Sequence, residues 1–165
     1  MNYKKIIRTL AFLTLSIAAM AVSPVTKAED GQVVFVCEFG TTKSLMAASY
    51  FNQLAEQKGL AVRAIARASA PKSTTVSAAV VDGLRQDGID VSGFKPVKVS
   101  AAEVSKSQRV ILISTDLPVS AQKPDATLES WNDVPQVSGN YPAASKMLKQ
   151  QIEKLMEQVS GTTRK

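Results

Sequence analysis

Hydrophobic and polar positions divide the chain into continuous apolar runs and stretches with helical spacing. The segments 32–36 and 109–113 are each dominated by an unbroken apolar run, which is typical of strands buried on both faces. Weaker patterns predict two more strands, at 60–68 and 126–131. Helical spacing predicts four helices, over 44–58, 76–87, about 100–107 and 141–159. Because strands and helices alternate, we predict an α/β fold: a three-layer sandwich in which a parallel four-stranded sheet has helices on both faces.

The first 28 residues have the pattern of a cleaved secretory signal peptide. Basic residues at 4–8 precede a charge-free, mostly apolar stretch of 14 residues at 9–22, and small residues follow at 26–28. A retained membrane anchor is the alternative, but the apolar stretch is shorter than the roughly 20 residues that span a bilayer. We therefore predict cleavage after Ala28, with Ala21 as the second choice, and a periplasmic or secreted protein without a stable membrane anchor.

Removal of residues 1–28 changes the charge of the chain. The full sequence carries 20 basic and 14 acidic residues, a net charge of +6. Four of the basic residues and none of the acidic ones lie in 1–28, so the predicted domain at 29–165 has a net charge of only +2. No basic run with interleaved aromatic residues remains, and we expect no nucleic-acid partner. A chain of this length suits one domain with one hydrophobic core.

The composition also excludes several kinds of site. The sequence has no histidine, so it contains no Ser-His or Cys-His nucleophile pair and no imidazole metal ligand. It has one cysteine and therefore no internal disulfide. We expect neither a metal nor a cofactor.

The one cysteine, Cys37, lies where a strand, a loop and a helix follow each other. It ends the first apolar run, and a loop at 38–42 separates it from Lys43 and Ser44, which open the first predicted helix. Loop N–H groups and a helix N-terminus together bind anions, and both favour the thiolate form of a cysteine. The alternatives are a buried, inert cysteine and a solvated lysine. The loop between the two residues favours a nucleophile beside an anion site.

These residues and the order of elements resemble the low-molecular-weight phosphotyrosine phosphatases and the related arsenate reductases. The family signature is a strand ending in cysteine, five loop residues, then arginine and serine opening a helix, often followed by a Met-Ala pair. Here Cys37, five residues, Lys43-Ser44 and Met46-Ala47 stand in that order. Further matches lie at 88–93, 110–113 and 131–135. The resemblance spans about residues 32–159.

The resemblance implies a role for each residue of this segment. Cys37 would be the nucleophile that takes up the phosphoryl group, and Ser44 would donate a hydrogen bond to its sulfur. Gly40 would occupy a left-handed turn of the loop. The backbone N–H groups that would bind the substrate oxygens belong to Glu38, Phe39, Gly40, Thr41, Thr42 and Lys43. The ligand would be a phosphate or arsenate oxyanion, carried by a phosphorylated small molecule or a phosphotyrosine protein.

The sequence departs from the family pattern at two places. Lys43 stands where the family has arginine, and an ammonium lacks the planar two-point fork of a guanidinium. Losing one charge-assisted hydrogen bond costs on the order of 1.5–3 kcal/mol, so we expect weakened catalysis. The family's general acid is an aspartate next to a proline near the end of the chain, where this sequence has Gln136. Asp133 is the nearest substitute, although it could equally be a solvated turn residue, and Asp116 is a weaker candidate.

Three functions follow from this pattern. The first is hydrolysis of phosphomonoesters, preferably aryl ones, because a phenolic leaving group needs an acid least. The second is arsenate reduction, which would need an external thiol because the chain has no second cysteine. The third is binding of an oxyanion without catalysis.

Overall fold

The protein was analysed as a computed structural model that describes residues 31–72 and 74–162. The predicted signal peptide, residues 1–28, lies outside the described residues. The sheet contains four strands: β1 (Gln32–Cys37), β2 (Arg63–Ala68), β3 (Arg109–Ile113) and β4 (Leu128–Trp131). The helices are α1 (Lys43–Gln57), α2 (Ala78–Gln86), α3 (Ala101–Lys106) and α4 (Tyr141–Thr162), with a 3-10 turn at Val119–Ala121.

All pairings in the sheet are parallel, and the strand order is β2-β1-β3-β4. Side chains alternate along β1, the more buried of the two central strands. Val33 and Phe35 pack in the layer that contains α1, α2 and α4, while Val34 and Val36 pack against α3 and the 3-10 turn. The predicted fold class, a parallel four-stranded sheet with helices on both faces, is confirmed.

The elements agree with the sequence-based expectation except at two ends. The strand predicted from residue 60 begins at Arg63, because the Leu60 N–H donates to the Ala55 carbonyl at 2.8 Å and so belongs to the turn that ends α1. Helix α4 was expected to end at 159 but continues to Thr162, and the Ser160 hydroxyl donates to the Met156 carbonyl at 2.7 Å. The other ends lie within two residues of the prediction.

A cluster of hydroxyl groups joins α1, α4 and the end of α2. The phenol of the buried Tyr50 donates to Asp87 Oδ2 at 2.7 Å and lies 2.8 Å from both Tyr141 Oη and Ser145 Oγ. Because a phenol has one proton, Tyr50 accepts from Tyr141 and Ser145 when it donates to Asp87. Burial raises the pKa of Tyr50 well above its ordinary value of 10.0. Tyr141 thus packs among the helices, whereas Trp131, the last residue of β4, is buried with its ring centre 5.6 Å from that of Phe35.

Among residues 31–72 and 74–162, none of the helices is both long enough and apolar enough to cross a bilayer.

Candidate active site

Cys37 is the last residue of β1, at the carboxyl edge of the sheet, where ligands of parallel α/β sheets bind. Its side chain is 4% exposed, and Sγ lies 3.0 Å from the hydroxyl oxygen of Ser44 in the first turn of α1. Ser44 is fully buried. The contact that the family resemblance implies between these two residues is therefore present in the structure. The catalytic roles of Cys37 and Ser44 stay predictions.

Within the described chain, the backbone hydrogen bonds of the loop at 38–42 involve its carbonyls and not its N–H groups. The Glu38 carbonyl accepts from the Ala70 N–H at 2.8 Å and, just before the loop, the Cys37 carbonyl accepts from the Ser69 N–H at 3.0 Å, which extends the pairing of β1 past β2. Within the described part of the chain, the N–H groups of 38–44 donate to no protein acceptor. Backbone donors at a helix N-terminus must meet water or a ligand, and an anion is the ligand they favour.

Gly40 allows this loop to turn against the end of β2. Its φ is +75°, in the left-handed region that costs glycine nothing. A Cβ at this position would lie 2.9 Å from the Ala68 Cβ and 3.2 Å from the Ala68 nitrogen. Any other residue would therefore be strained in its backbone and would also displace the loop from β2.

The other side chains of the loop differ in exposure and in partners. Glu38 is exposed and pairs with Lys72 at 3.8 Å, so its carboxylate is directed to another loop. The Lys72 ammonium also lies 5.5 Å from the centre of the half-buried Phe39 ring. Thr41 is buried, and the half-buried Thr42 accepts the first hydrogen bond of α1, from the Met46 N–H at 2.9 Å.

Lys43 is a buried cation with two protein acceptors. It is 7% exposed, and its Nζ donates to Ser114 Oγ at 3.0 Å and to the Val134 carbonyl at 2.8 Å. The alternative that Lys43 is a solvated residue of the first turn is therefore wrong. Burial lowers the pKa of Lys43 below its ordinary value of 10.5, and the thiolate of Cys37 opposes that shift.

Sequence reasoning missed Ser114 and Val134. Ser114 follows β3 directly and has a φ of +50°, which is uncommon for a residue other than glycine. Next to it, the Thr115 hydroxyl lies 2.8 Å from the Ser69 hydroxyl, so the chains that follow β2 and β3 meet. A polar residue directly after a buried strand was the available signal for Ser114. Val134 contributes only its carbonyl, for which side-chain patterns give no signal.

Among the described residues, no hydrogen bond or ion pair joins a candidate acid to the thiol. Asp133 is exposed and accepts from Gln151 Nε2 of α4 at 2.9 Å. No contact among the described residues joins Asp133 to Cys37 or Lys43, although the neighbouring Val134 carbonyl does reach Lys43. Gln136 and Asp116 are exposed. Asp133 as general acid stays a prediction.

Comparison with known proteins identifies the family. The family model described as low molecular weight phosphotyrosine protein phosphatase matches residues 32–124, more than half of the chain. The chain belongs to this family. The resemblance drawn from the sequence is thereby confirmed, and phosphatase-like chemistry on phosphate-type oxyanions is the function class that membership supports.

Solved structures show the same fold at low sequence identity. YfkJ from Bacillus subtilis has a TM-score of 0.73 at 20% identity, covering 82% of this chain and 98% of its own. The low molecular weight protein tyrosine phosphatase from T. tengcongensis has a TM-score of 0.65 at 23% identity, with 78% and 99% covered. An arsenate reductase in the phosphate-binding state has a TM-score of 0.64 at 18% identity, with 78% and 98% covered. No curated protein matches the sequence.

Proposed function

We propose that this protein hydrolyses aryl phosphomonoesters through a phosphocysteine intermediate, with catalysis weakened relative to a site that has arginine at position 43. The observation that supports it is one constellation: the Cys37 sulfur beside the Ser44 hydroxyl, a run of N–H groups at 38–44 that have no acceptor among the described residues, and the buried Lys43 ammonium. A nucleophile, an oxyanion site and a cation are the parts that phosphoryl transfer to a thiolate requires.

The reaction would proceed in two displacements. In the first, the Cys37 thiolate attacks phosphorus, the S–P bond forms, and the bond from phosphorus to the aryl oxygen breaks. The departing phenolate takes a proton from Asp133 or from water. In the second, water attacks phosphorus and gives a proton to Asp133 or to another water, the S–P bond breaks, inorganic phosphate leaves, and Cys37 returns to the thiolate. The free N–H groups of the loop stabilise the charge that develops on the equatorial oxygens in both steps.

The geometry of Lys43 supports weakened catalysis. An ammonium has three N–H donors, and two of them already serve Ser114 and Val134. One donor is left for the transferring phosphoryl group, whereas a guanidinium fork offers two parallel donors to one phosphate. The preference for aryl substrates follows from the acid: with Asp133 held by Gln151, a leaving group that departs as a stable phenolate is favoured.

Oxyanion binding without turnover is the second candidate. The two hydrogen bonds of Lys43 to Ser114 and Val134 favour it. A cation held by two protein acceptors can bind an anion, but it is less able to reorient toward the phosphoryl group in the transition state. The third candidate, arsenate reduction, requires an external thiol because Cys37 is the only cysteine.

Turnover assays separate the three functions. The parent protein, Cys37→Ser and Asp133→Asn are assayed with an aryl phosphate, an alkyl phosphate, and arsenate with and without glutathione. We expect aryl phosphate turnover that Cys37→Ser abolishes. A larger loss in Asp133→Asn with alkyl than with aryl phosphate would assign the acid. Cys37→Ser protein as active as the parent would refute the proposal. Phosphate binding alone would indicate a binding module, and thiol-dependent arsenite release a reductase.

We also propose that the protein works outside the cytoplasm, on the basis of the pattern at 1–28. Sequencing the N-terminus of protein from fractionated cells tests this. We expect a periplasmic or secreted protein that begins at Glu29. Cytoplasmic protein that retains residues 1–28 would contradict it.

A further inference from the structure

The Lys43 ammonium is placed by two residues that lie far from it in sequence. Ser114 Oγ is 3.0 Å and the Val134 carbonyl oxygen 2.8 Å from Nζ, at sequence separations of 71 and 91 residues. Val134 contributes a backbone carbonyl, which any residue would supply. Ser114 contributes a hydroxyl, which most replacements would remove. Of the two acceptors, only the one at Ser114 therefore depends on which amino acid occupies the position.

The backbone at Ser114 is held in a conformation that serine rarely adopts. Its φ of +50° lies in the left-handed region. The Ser114 N–H donates to the Trp131 carbonyl at 3.3 Å, which ties the residue to β4. On its other side, the Thr115 hydroxyl is hydrogen-bonded to Ser69 at 2.8 Å. Glycine would adopt this conformation without strain. The hydrogen bond that the Ser114 hydroxyl accepts from Lys43 therefore offsets the backbone strain of a serine at this position.

We infer that Ser114 is a positioning residue of the anion site, whose hydroxyl holds the Lys43 ammonium at the loop 38–42 so that its remaining N–H donor meets the bound oxyanion. The inference rests on the proposed function and adds a residue to it. Ser114 acts through Lys43. Removing the hydroxyl frees the ammonium to rotate away from the loop, and a bound anion then loses its closest cation.

Three variants at position 114 test this inference. Ser114→Gly removes the hydroxyl and keeps the left-handed backbone. Ser114→Asn restores a side-chain acceptor on a residue that tolerates this backbone. Ser114→Ala removes the hydroxyl without relieving the strain. The control is Ser120→Gly, because Ser120 is an exposed serine in the same connection and has no side-chain partner among the described residues.

The primary measurement is the protection of Cys37 from iodoacetamide by inorganic phosphate, since the single cysteine makes labelling unambiguous. We expect Ser114→Gly and Ser114→Ala to weaken phosphate binding about tenfold, the loss of one hydrogen bond to a charged group. Ser114→Asn should stay within about threefold of the parent, and Ser120→Gly should be unchanged. Melting temperatures identify any variant that fails to fold. If either Ser114→Gly or Ser114→Ala does not fold, the other one is compared with Ser114→Asn.

A double-mutant cycle distinguishes positioning from a merely structural role. In a Lys43→Met background, where no ammonium is left to hold, Ser114→Gly should have no further effect on phosphate binding. An equal loss in both backgrounds, or unchanged phosphate binding in Ser114→Gly, overturns the inference. If the parent protein binds phosphate but does not hydrolyse aryl phosphate, only the proposed hydrolysis fails. If phosphate gives no protection at all, both fail.

Discussion

The Cys37 sulfur and the Ser44 hydroxyl oxygen lie 3.0 Å apart, both buried, one at the end of β1 and the other in the first turn of α1. The donor in this contact can be either group. When Cys37 is ionised, only Ser44 can donate, and its hydroxyl then gives the sulfur a charge-assisted hydrogen bond. The strand and the helix thus meet at the atom that performs the proposed chemistry.

Ser44→Ala should therefore slow the reaction of Cys37. We expect the rate of alkylation near pH 6 and kcat for an aryl phosphate to fall about tenfold each, the equivalent of one hydrogen bond to a charged group. The control is Ser49→Ala, a half-buried serine of the same helix without a side-chain partner among the described residues. Rates in Ser44→Ala equal to those of the control would mean that the hydroxyl does not act on the sulfur.

Gly40→Ala should abolish phosphate binding. The substitution combines left-handed strain, about 1–2 kcal/mol, with a close contact to Ala68. Gly59→Ala is the matched control, because Gly59 also has a positive φ, +64°, but nothing lies within 4 Å of its Cβ position. Urea unfolding should show both variants destabilised, while phosphate protection of Cys37 should be lost only in Gly40→Ala. Loss in both variants would point to general destabilisation.

Phosphate affinity should fall at alkaline pH as Lys43 loses its proton. Burial holds the pKa of Lys43 below its ordinary value of 10.5, so the free site loses its cation at a lower pH than an exposed lysine would. Phosphate affinity is measured by calorimetry with Cys37→Ser protein, in which no thiol can ionise. The measurements run from about pH 8 upward, where phosphate is dianionic. A Lys43→Arg change in the same background should keep its affinity over this range, because guanidinium stays charged. Parallel profiles for the two proteins would exclude Lys43 as the titrating group.

Tyr50→Phe should destabilise the packing of α1, α2 and α4. The change leaves Asp87, Tyr141 and Ser145 without their shared partner, and we expect a loss of about 2–3 kcal/mol in the free energy of unfolding in urea. Tyr141→Phe removes one hydrogen bond and should cost about 1 kcal/mol. Equal losses in the two variants would show that the hydrogen bonds of Tyr50 to Asp87 and Ser145 contribute nothing.

Most of the fold could be predicted because its signals are local. The unbroken apolar runs at 32–36 and 109–113 predicted the two central strands, since a short run of this kind is typical of a strand buried on both faces. The predicted start of β2 was three residues too early, because a residue after a helix end, such as Leu60, can pair with the helix or with the sheet. In the structure Leu60 pairs with the helix, because its N–H donates to the Ala55 carbonyl.

The sequence by itself determined that Cys37 leaves a buried strand, that a five-residue loop follows, and that Lys43 and Ser44 open a helix, because all of these residues are neighbours in the chain. Only the tertiary structure decided which distant groups contact the residues of the site. It placed Ser114 and the Val134 carbonyl around the Lys43 ammonium and Gln151 beside Asp133. Such contacts depend on how distant loops and helices pack on the sheet, and no periodicity or spacing within the chain encodes the direction of a single carbonyl or ammonium.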